Sequence, residues 1–220
     1  MQAAYDLFYK RDELASYDHI QFQGVVPRTF LCVKWIEMLL FRPLRMLFGD
    51  GANSFLLSDG MAVCYLVRLF VAACTFFAFV HLGKSISTLA RQNTYDHHAI
   101  LLMFLSSQFH LVFYGSRTLP NTFALQLSTV GLSWWLRGAD FRAVFALTVC
   151  ALVVRCETAL MWAAVAVDMF LFSKRPYRRL FCRFFMPSLL AACVALPATI
   201  FVDSFYWRRS EYSVNLCKLD

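Results

Sequence analysis

Charge is scarce in these 220 residues: Asp, Glu, Lys and Arg together make up 16%, while hydrophobic residues make up 60%. A soluble domain carries about 25% charged and about 45–50% apolar residues. The apolar excess is spread over several long blocks, more than one buried core can absorb. Glycine-rich phosphate loops, GxGxxG fingerprints and HExxH pairs are missing, so the chain shows no cofactor motif. The eight cysteines include no Cys-x-x-Cys pair, which leaves a zinc or redox centre without support, and no metal is expected. Most of those cysteines lie in apolar runs, where they behave as small hydrophobes. Behind Met1 there is no charged stretch followed by an apolar one, so no cleavable signal is expected. A multi-pass protein inserts through its first spanning helix and needs none.

What the chain does have is hydrophobic length. Mean hydropathy is +0.55, and 23 Phe and 5 Trp suit helix interfaces and headgroup anchors. The expected fold class is all-α, a polytopic membrane protein with the lipid bilayer as partner. The net charge of +7 does not point to nucleic acid, because many basic residues sit in short loops between apolar runs, where they report orientation.

Five apolar blocks are candidates for helices at membrane depth, near residues 61–82, 99–114, 121–136, 141–172 and 181–202; a span takes about 20 residues. The densest basic cluster, Lys174, Arg175, Arg178, Arg179 and Arg183, marks a cytosolic loop. The loops carrying Lys84 with Arg91, and Arg137 with Arg142, join it as weaker candidates. The turn at Ser116–Asn121 then falls on the opposite, lumenal side. Parity makes the fourth block return to the side it left. As one helix it would run about 48 Å at about 1.5 Å per residue, well beyond a hydrocarbon core of about 30 Å. A break near Arg155-Cys156-Glu157 resolves both difficulties and points those charges toward a polar cavity.

The first sixty residues read differently. Between Arg28 and Phe48 the charges Lys34, Glu37, Arg42 and Arg45 interrupt the apolar residues, so interfacial helices along the lumenal surface are expected rather than a span. The domain division expected is a lumenal loop at 1–60, a multi-pass region at 61–208 and a tail at 209–220.

Several polar residues could carry chemistry. Asp18 and His19 could act as acid, base or diphosphate contact, or simply cap a turn. Val26 is held extended by Pro27 and presents Arg28 from a stiff segment, where a guanidinium suits phosphate oxygens or lipid headgroups. Arg117 sits in a short turn ending at Pro120 and Asn121; snorkelling to headgroups is the plain alternative to a ligand contact. Arg155 and Glu157 are ionisable groups at membrane depth, which form a structural pair with each other or face a substrate. His110 and Arg68 read as packing.

Tyr17-Asp18-His19 followed by Gly24-Val25-Val26-Pro27-Arg28-Thr29-Phe30, together with Arg117-Thr118-Leu119-Pro120-Asn121, resembles one family. It is the dolichyl-phosphate-mannose-dependent mannosyltransferases of the endoplasmic reticulum, glycosyltransferase family 22. Within it, the α-1,6 branch that extends the N-glycan precursor is the nearest match. Val154-Arg155-Cys156-Glu157 is similar to the family's Phe-Arg-Val-Glu, and Asp203 to Trp207 resembles its Asp-Ser-x-x-Trp. Gln23 and Cys32 stand where the family has proline and glycine. The resemblance covers nearly all of positions 2–208.

It implies a GT-C-type fold in the endoplasmic reticulum membrane and an inverting hexosyltransferase. The implied donor is dolichyl-phosphate-mannose and the implied acceptor a dolichol-linked oligosaccharide. The lack of a soluble nucleotide-sugar domain agrees with a lipid-linked donor. Asp18, His19, Arg28, Arg117, Asn121, Arg155 and Glu157 become candidate substrate-binding residues. The family's acidic pair lies just upstream of the segment matching Gln2–Leu7, and after Arg208 the likeness ends. The expectation that follows is an incomplete chain, inactive alone, with its catalytic carboxylates outside it. A transporter, suggested by the broken helix, and a noncatalytic membrane subunit are the alternatives.

Overall fold

The computed structural model describes residues 29–48, 60–89, 97–171 and 177–207. Helix is the only regular structure among them: α1 (Leu31–Ile36), a π-helical stretch Glu37–Phe41, α2 (Arg42–Phe48), α3 (Gly60–Leu89), α4 (His97–Ser106), α5 (Phe109–Gly115), α6 (Pro120–Leu136), α7 (Asp140–Val149), a π-helical stretch Cys150–Val154, a 3-10 turn Cys156–Thr158, α8 (Ala159–Leu171) and α9 (Tyr177–Trp207). Two helical stretches, Met61–Leu89 and Phe181–Tyr206, are long and apolar enough to cross a membrane. The pair α4–α5 joins them if it is counted as one broken span. The expected polytopic helical architecture is what the chain adopts.

The chain divides into two compact units, residues 1–67 with 197–220 and residues 68–196. In the first, α1 opens where Thr29 and Phe30 meet the last turns of α9. The Glu37–Phe41 π-turn precedes Pro43, which has no N–H to give the Leu39 carbonyl and whose ring crowds it; a wider turn relieves that conflict. Lys34 pairs with Glu37 at 2.5 Å and donates to the Tyr206 hydroxyl at 3.2 Å. Burial alone would lower the Lys34 pKa, but the bonds to Glu37 and Tyr206 more than reverse this and hold it above its ordinary value. Trp35, Met38, Leu39 and Met46 are exposed. Lys34 and Glu37 thus turn toward the fold, while Arg42 is exposed together with these apolar groups.

The second unit is built around the antiparallel hairpin α6–α7. Its turn is a Schellman closure: the N–H of Ala139 bonds the Trp134 carbonyl and that of Gly138 the Trp135 carbonyl. Gly138 takes φ 74° there, a backbone conformation in which a Cβ is strained. The two helices close tightly because α6 buries small residues, Ala124, Ser128, Gly131 and Ser133, toward its neighbours. A Cβ on Gly131 would lie 3.1 Å from the Leu147 side chain. Leu147 and Val144 join Val165, Met169 and Phe184 in the core that binds α8 and α9 to this hairpin.

Helix α3 runs parallel to α6. The Gln126 amide donates to Thr75 Oγ1 at 2.8 Å and to the Val71 carbonyl at 3.1 Å, and His81 bonds Ser133. The Thr75 hydroxyl reaches on to the Gly115 carbonyl at 2.8 Å, tying in the end of α5.

Three block boundaries differ from the sequence reading, one being the fifth block, expected over 181–202 and observed as α9 over Tyr177–Trp207. The second block is not one helix but α4 and α5 bent by 79°. Ser106 and Ser107 turn their hydroxyls back onto the Met103 and Phe104 carbonyls at 2.8 and 2.7 Å, and Gln108 is extended. Such side chains offer the backbone an alternative to the helical ladder. The first block's helix continues past Leu82 to Leu89. The break near Arg155 lies where charge and length placed it: Arg155 is extended between the π-stretch and the 3-10 turn.

Candidate active-site end of the helical hairpin

Asp18, His19 and Arg28 lie outside the described residues. The end of their segment is described, and a single carboxylate organises it. Asp203 Oδ1 accepts the Phe30 N–H at 2.8 Å and the Thr29 hydroxyl at 3.2 Å. The Thr29 oxygen in turn accepts the Leu31 N–H at 3.2 Å. The first N–H groups of a helix have no partner within it, and a carboxylate there is favoured by the helix dipole as well. Phe30 stacks on Tyr206 with ring centroids 4.9 Å apart. The sequence reading gave Asp203 no chemistry, and its observed role is to anchor the motif segment. Asp203→Ala is expected to cost about 1–3 kcal/mol by stranding the Phe30 donor. Thermal melting in detergent measures this, and an unchanged midpoint would count against the anchor.

In the second unit, the turn 116–121 is fixed by its own backbone. Arg117 N–H bonds the Tyr114 carbonyl at 3.0 Å, and Leu119 N–H bonds the Arg117 carbonyl at 2.8 Å. Leu119 is extended, as a residue before proline must be, and Pro120 opens α6. Thr122 secures the turn by donating to the Tyr114 carbonyl at 3.0 Å. Arg117 is exposed, with its guanidinium 4.2 Å over the Phe113 ring, and it pairs with no carboxylate among the described residues. Asn121 is exposed in the first turn of α6.

Arg155 sits where the π-stretch ends, its N–H bonded to the Cys150 carbonyl at 3.0 Å. Its carbonyl accepts the Thr158 hydroxyl at 2.7 Å and the Thr158 N–H at 3.1 Å, starting the next helix. Arg155 Nη1 pairs with Glu157 Oε1 at 3.0 Å, and the two side chains are 36% and 72% exposed. Of the two readings the sequence left open, the mutual ion pair is the one observed. It lies at an accessible position, and the guanidinium keeps donors in reserve.

The antiparallel hairpin brings these motifs to one end. Cys150 Sγ lies 3.6 Å from the Ala124 carbonyl and Leu147 faces Gly131. The start of α6, with Arg117 and Asn121, therefore lies at the level of Arg155 and Glu157 just beyond α7. Direct hydrogen bonds across from one motif to the other are absent among the described residues. At the opposite end Arg137 bonds Ser85 at 2.8 Å and Arg183 pairs with Asp140 at 3.0 Å, so the basic loops expected on one side do meet.

The exposed Arg117 guanidinium, without a carboxylate partner among the described residues, and the half-buried Arg155 guanidinium offer bidentate donors to phosphate oxygens, and the Glu157 carboxylate beside Arg155 is an acceptor open to solvent. Among the described residues no group of His, Cys, Asp or Glu converges as metal ligands would. Sequence reasoning missed the Thr75–Gln126–Gly115 node and the His81–Ser133 bond, which fix α3 against α6 and so position the turn. Polar side chains inside apolar blocks were the available signal.

Comparison with known proteins matches residues 1–214 to the Alg9-like mannosyltransferase family. A Drosophila melanogaster protein named Dol-P-Man:Man(7)GlcNAc(2)-PP-Dol alpha-1,6-mannosyltransferase is 31% identical over 95% of this chain and 29% of its own length. Proteins of the same name are 28% identical in Arabidopsis thaliana, over 95% of the chain and 39% of the relative, and 32% identical in Saccharomyces cerevisiae, over 79% and 34%. The chain thus spans between 29% and 39% of the length of these relatives. No solved structure matches it.

Proposed function

This chain belongs to the Alg9-like mannosyltransferase family, and from that premise we propose that it serves transfer of mannose from dolichyl-phosphate-mannose to a dolichol-linked oligosaccharide. The relatives' names carry the donor, the acceptor and the α-1,6 linkage. The setting we propose is the endoplasmic reticulum membrane, with the Arg117–Arg155 end lumenal and the basic loops cytosolic.

One observation carries the reading: the α6–α7 hairpin gathers Arg117, Asn121, Arg155 and Glu157 at one end. In an inverting transfer the acceptor hydroxyl attacks the anomeric carbon and loses its proton to a base. The bond from that carbon to the phosphate oxygen breaks, and the electron pair leaves with the phosphate. We assign this end of the hairpin to the phosphate. Arg155 and Arg117 steady the charge that grows on the leaving oxygen, the term that preorganised donors supply most effectively. Glu157 orients Arg155, and Asn121 offers an amide to a sugar hydroxyl. Asp18, His19 and Arg28 are proposed as further substrate contacts on their motif alone.

A dolichyl-phosphate carrying a diazirine near its headgroup tests the assignment on the protein in native membranes. Label is expected in peptides between Phe109 and Glu157, displaced by dolichyl-phosphate-mannose and not by GDP-mannose. Absence of label from that stretch, or displacement by the nucleotide sugar, overturns it.

A further inference from the structure

At the end of the second unit away from Arg117 and Arg155 lies a cleft of about 790 Å³, walled by Lys84, Ser87, Thr88, His98, Leu136 and Arg137. Its described lining holds two fixed positive charges and no carboxylate. Arg137 does not extend freely into solvent as a snorkelling side chain does. Its Nε–H donates to Ser85 Oγ at 2.8 Å and an Nη2–H points at the His81 carbonyl at 3.4 Å. The Ser85 hydroxyl itself donates to that carbonyl at 2.8 Å. The guanidinium is therefore held against α3 through two of its five N–H groups, leaving the remaining donors for an occupant.

Lys84 is exposed and makes no ion pair in the described fold. The Ser87 hydroxyl oxygen is buried yet has no hydrogen-bond partner, a state that native folds rarely leave unfilled. Gly83 lets the His98 ring lie directly against α3, where any Cβ would collide with Nδ1.

Depth fixes the class of ligand. The stretch Met61–Leu89 covers about 43 Å at about 1.5 Å per residue, some 13 Å more than a hydrocarbon core of about 30 Å. The exposed Lys84 sets its last turns, with Ser87 and Thr88, in the headgroup layer, on the side where the basic loops meet. Basic pockets between membrane helices at that depth suit anionic headgroups. We propose that this cleft binds the phosphate of an anionic phospholipid headgroup, on the face opposite the proposed mannose transfer. The chemistry recognised is a phosphate ester flanked by hydroxyls, met by a fork of guanidinium donors, an ammonium and the Ser87 hydroxyl.

Native mass spectrometry of the protein in micelles containing equal phosphatidylinositol and phosphatidylcholine is the test. About tenfold preferential retention of phosphatidylinositol is expected, and Lys84→Gln and Arg137→Gln should each erase most of that preference. Lys84→Gln is the cleaner variant, because that side chain bonds nothing in the described fold. Equal retention of the two lipids, or undiminished preference in Lys84→Gln, overturns the proposal. Water-soluble glycerophosphoinositol distinguishes the source of the phosphate. Failure to displace the lipid at equal concentration supports a membrane-borne ligand, and full displacement means a soluble phosphate ester is the occupant, against the lipid reading.

Discussion

Gly131→Leu is expected to unfold the α6–α7 hairpin under conditions where the parent protein survives. The space is already taken: even a Cβ at this position meets Leu147 Cδ2 and Cγ at 3.1 Å. Leu147 is fully buried and cannot swing aside into solvent. In lipid there is little hydrophobic drive between helices, so close packing of small residues carries the association. Overpacking a filled interface costs about 1–3 kcal/mol for modest additions, and a leucine exceeds that against a total of about 5–15 kcal/mol for a domain. Gly131→Ala should fall within the lower range. Leu147→Ala alone should cost about 2–5 kcal/mol through the cavity it leaves. Because the two residues touch, the double variant should be less harmed than the sum by about 0.5–3 kcal/mol. Thermal melting in detergent reads all four proteins. Simple additivity, or a Gly131→Leu protein melting like the parent, would show that the helices do not close at this point.

Arg155→Gln is the second large effect, and it should leave the fold nearly intact. The pair with Glu157 is open to solvent on both sides, and exposed ion pairs contribute about 0–1 kcal/mol. A charge-assisted bond to a phosphate is worth about 1.5–3 kcal/mol. The difference decides the phenotype. Donor photolabelling should fall by roughly ten- to hundredfold while the melting midpoint moves little. Glu157→Gln separates positioning from contact: the guanidinium stays and only its orienting partner is lost, so labelling should fall by less than in Arg155→Gln. A fall in labelling that tracks a fall in stability would mean Arg155 acts on the fold and not on the donor.

How much of this was readable in the sequence depended on which physical signal each feature left. The interruption at Arg155 was legible because two charges sat in an apolar run too long for one span. The bend at Ser106–Gln108 was not, since hydroxyls that bond back to their own helix look polar but unexceptional until the ladder yields. The meeting of Arg137 with α3 and of Arg183 with Asp140 agrees with the grouping of the basic loops at one end. Proximity of the Arg117 turn to Arg155 needed the register of α6 on α7, and that register is set by Gly131, Ala124 and Cys150 rather than by charge. Thr75 and Gln126 escaped notice because a single polar side chain on a helix does not say which neighbour it will meet.

Asp203 also imposes an order in time. The groups it holds, Thr29 and Phe30, lie 174 and 173 residues away along the chain. A ribosome adding about 5–20 residues per second leaves the start of α1 without its carboxylate for roughly ten to thirty seconds. During that interval the intervening helices, α3 to α8, are all made. The first unit is therefore the last to close, and a chain stalled just short of Asp203 carries a nearly complete second unit beside a first unit still waiting for its lock.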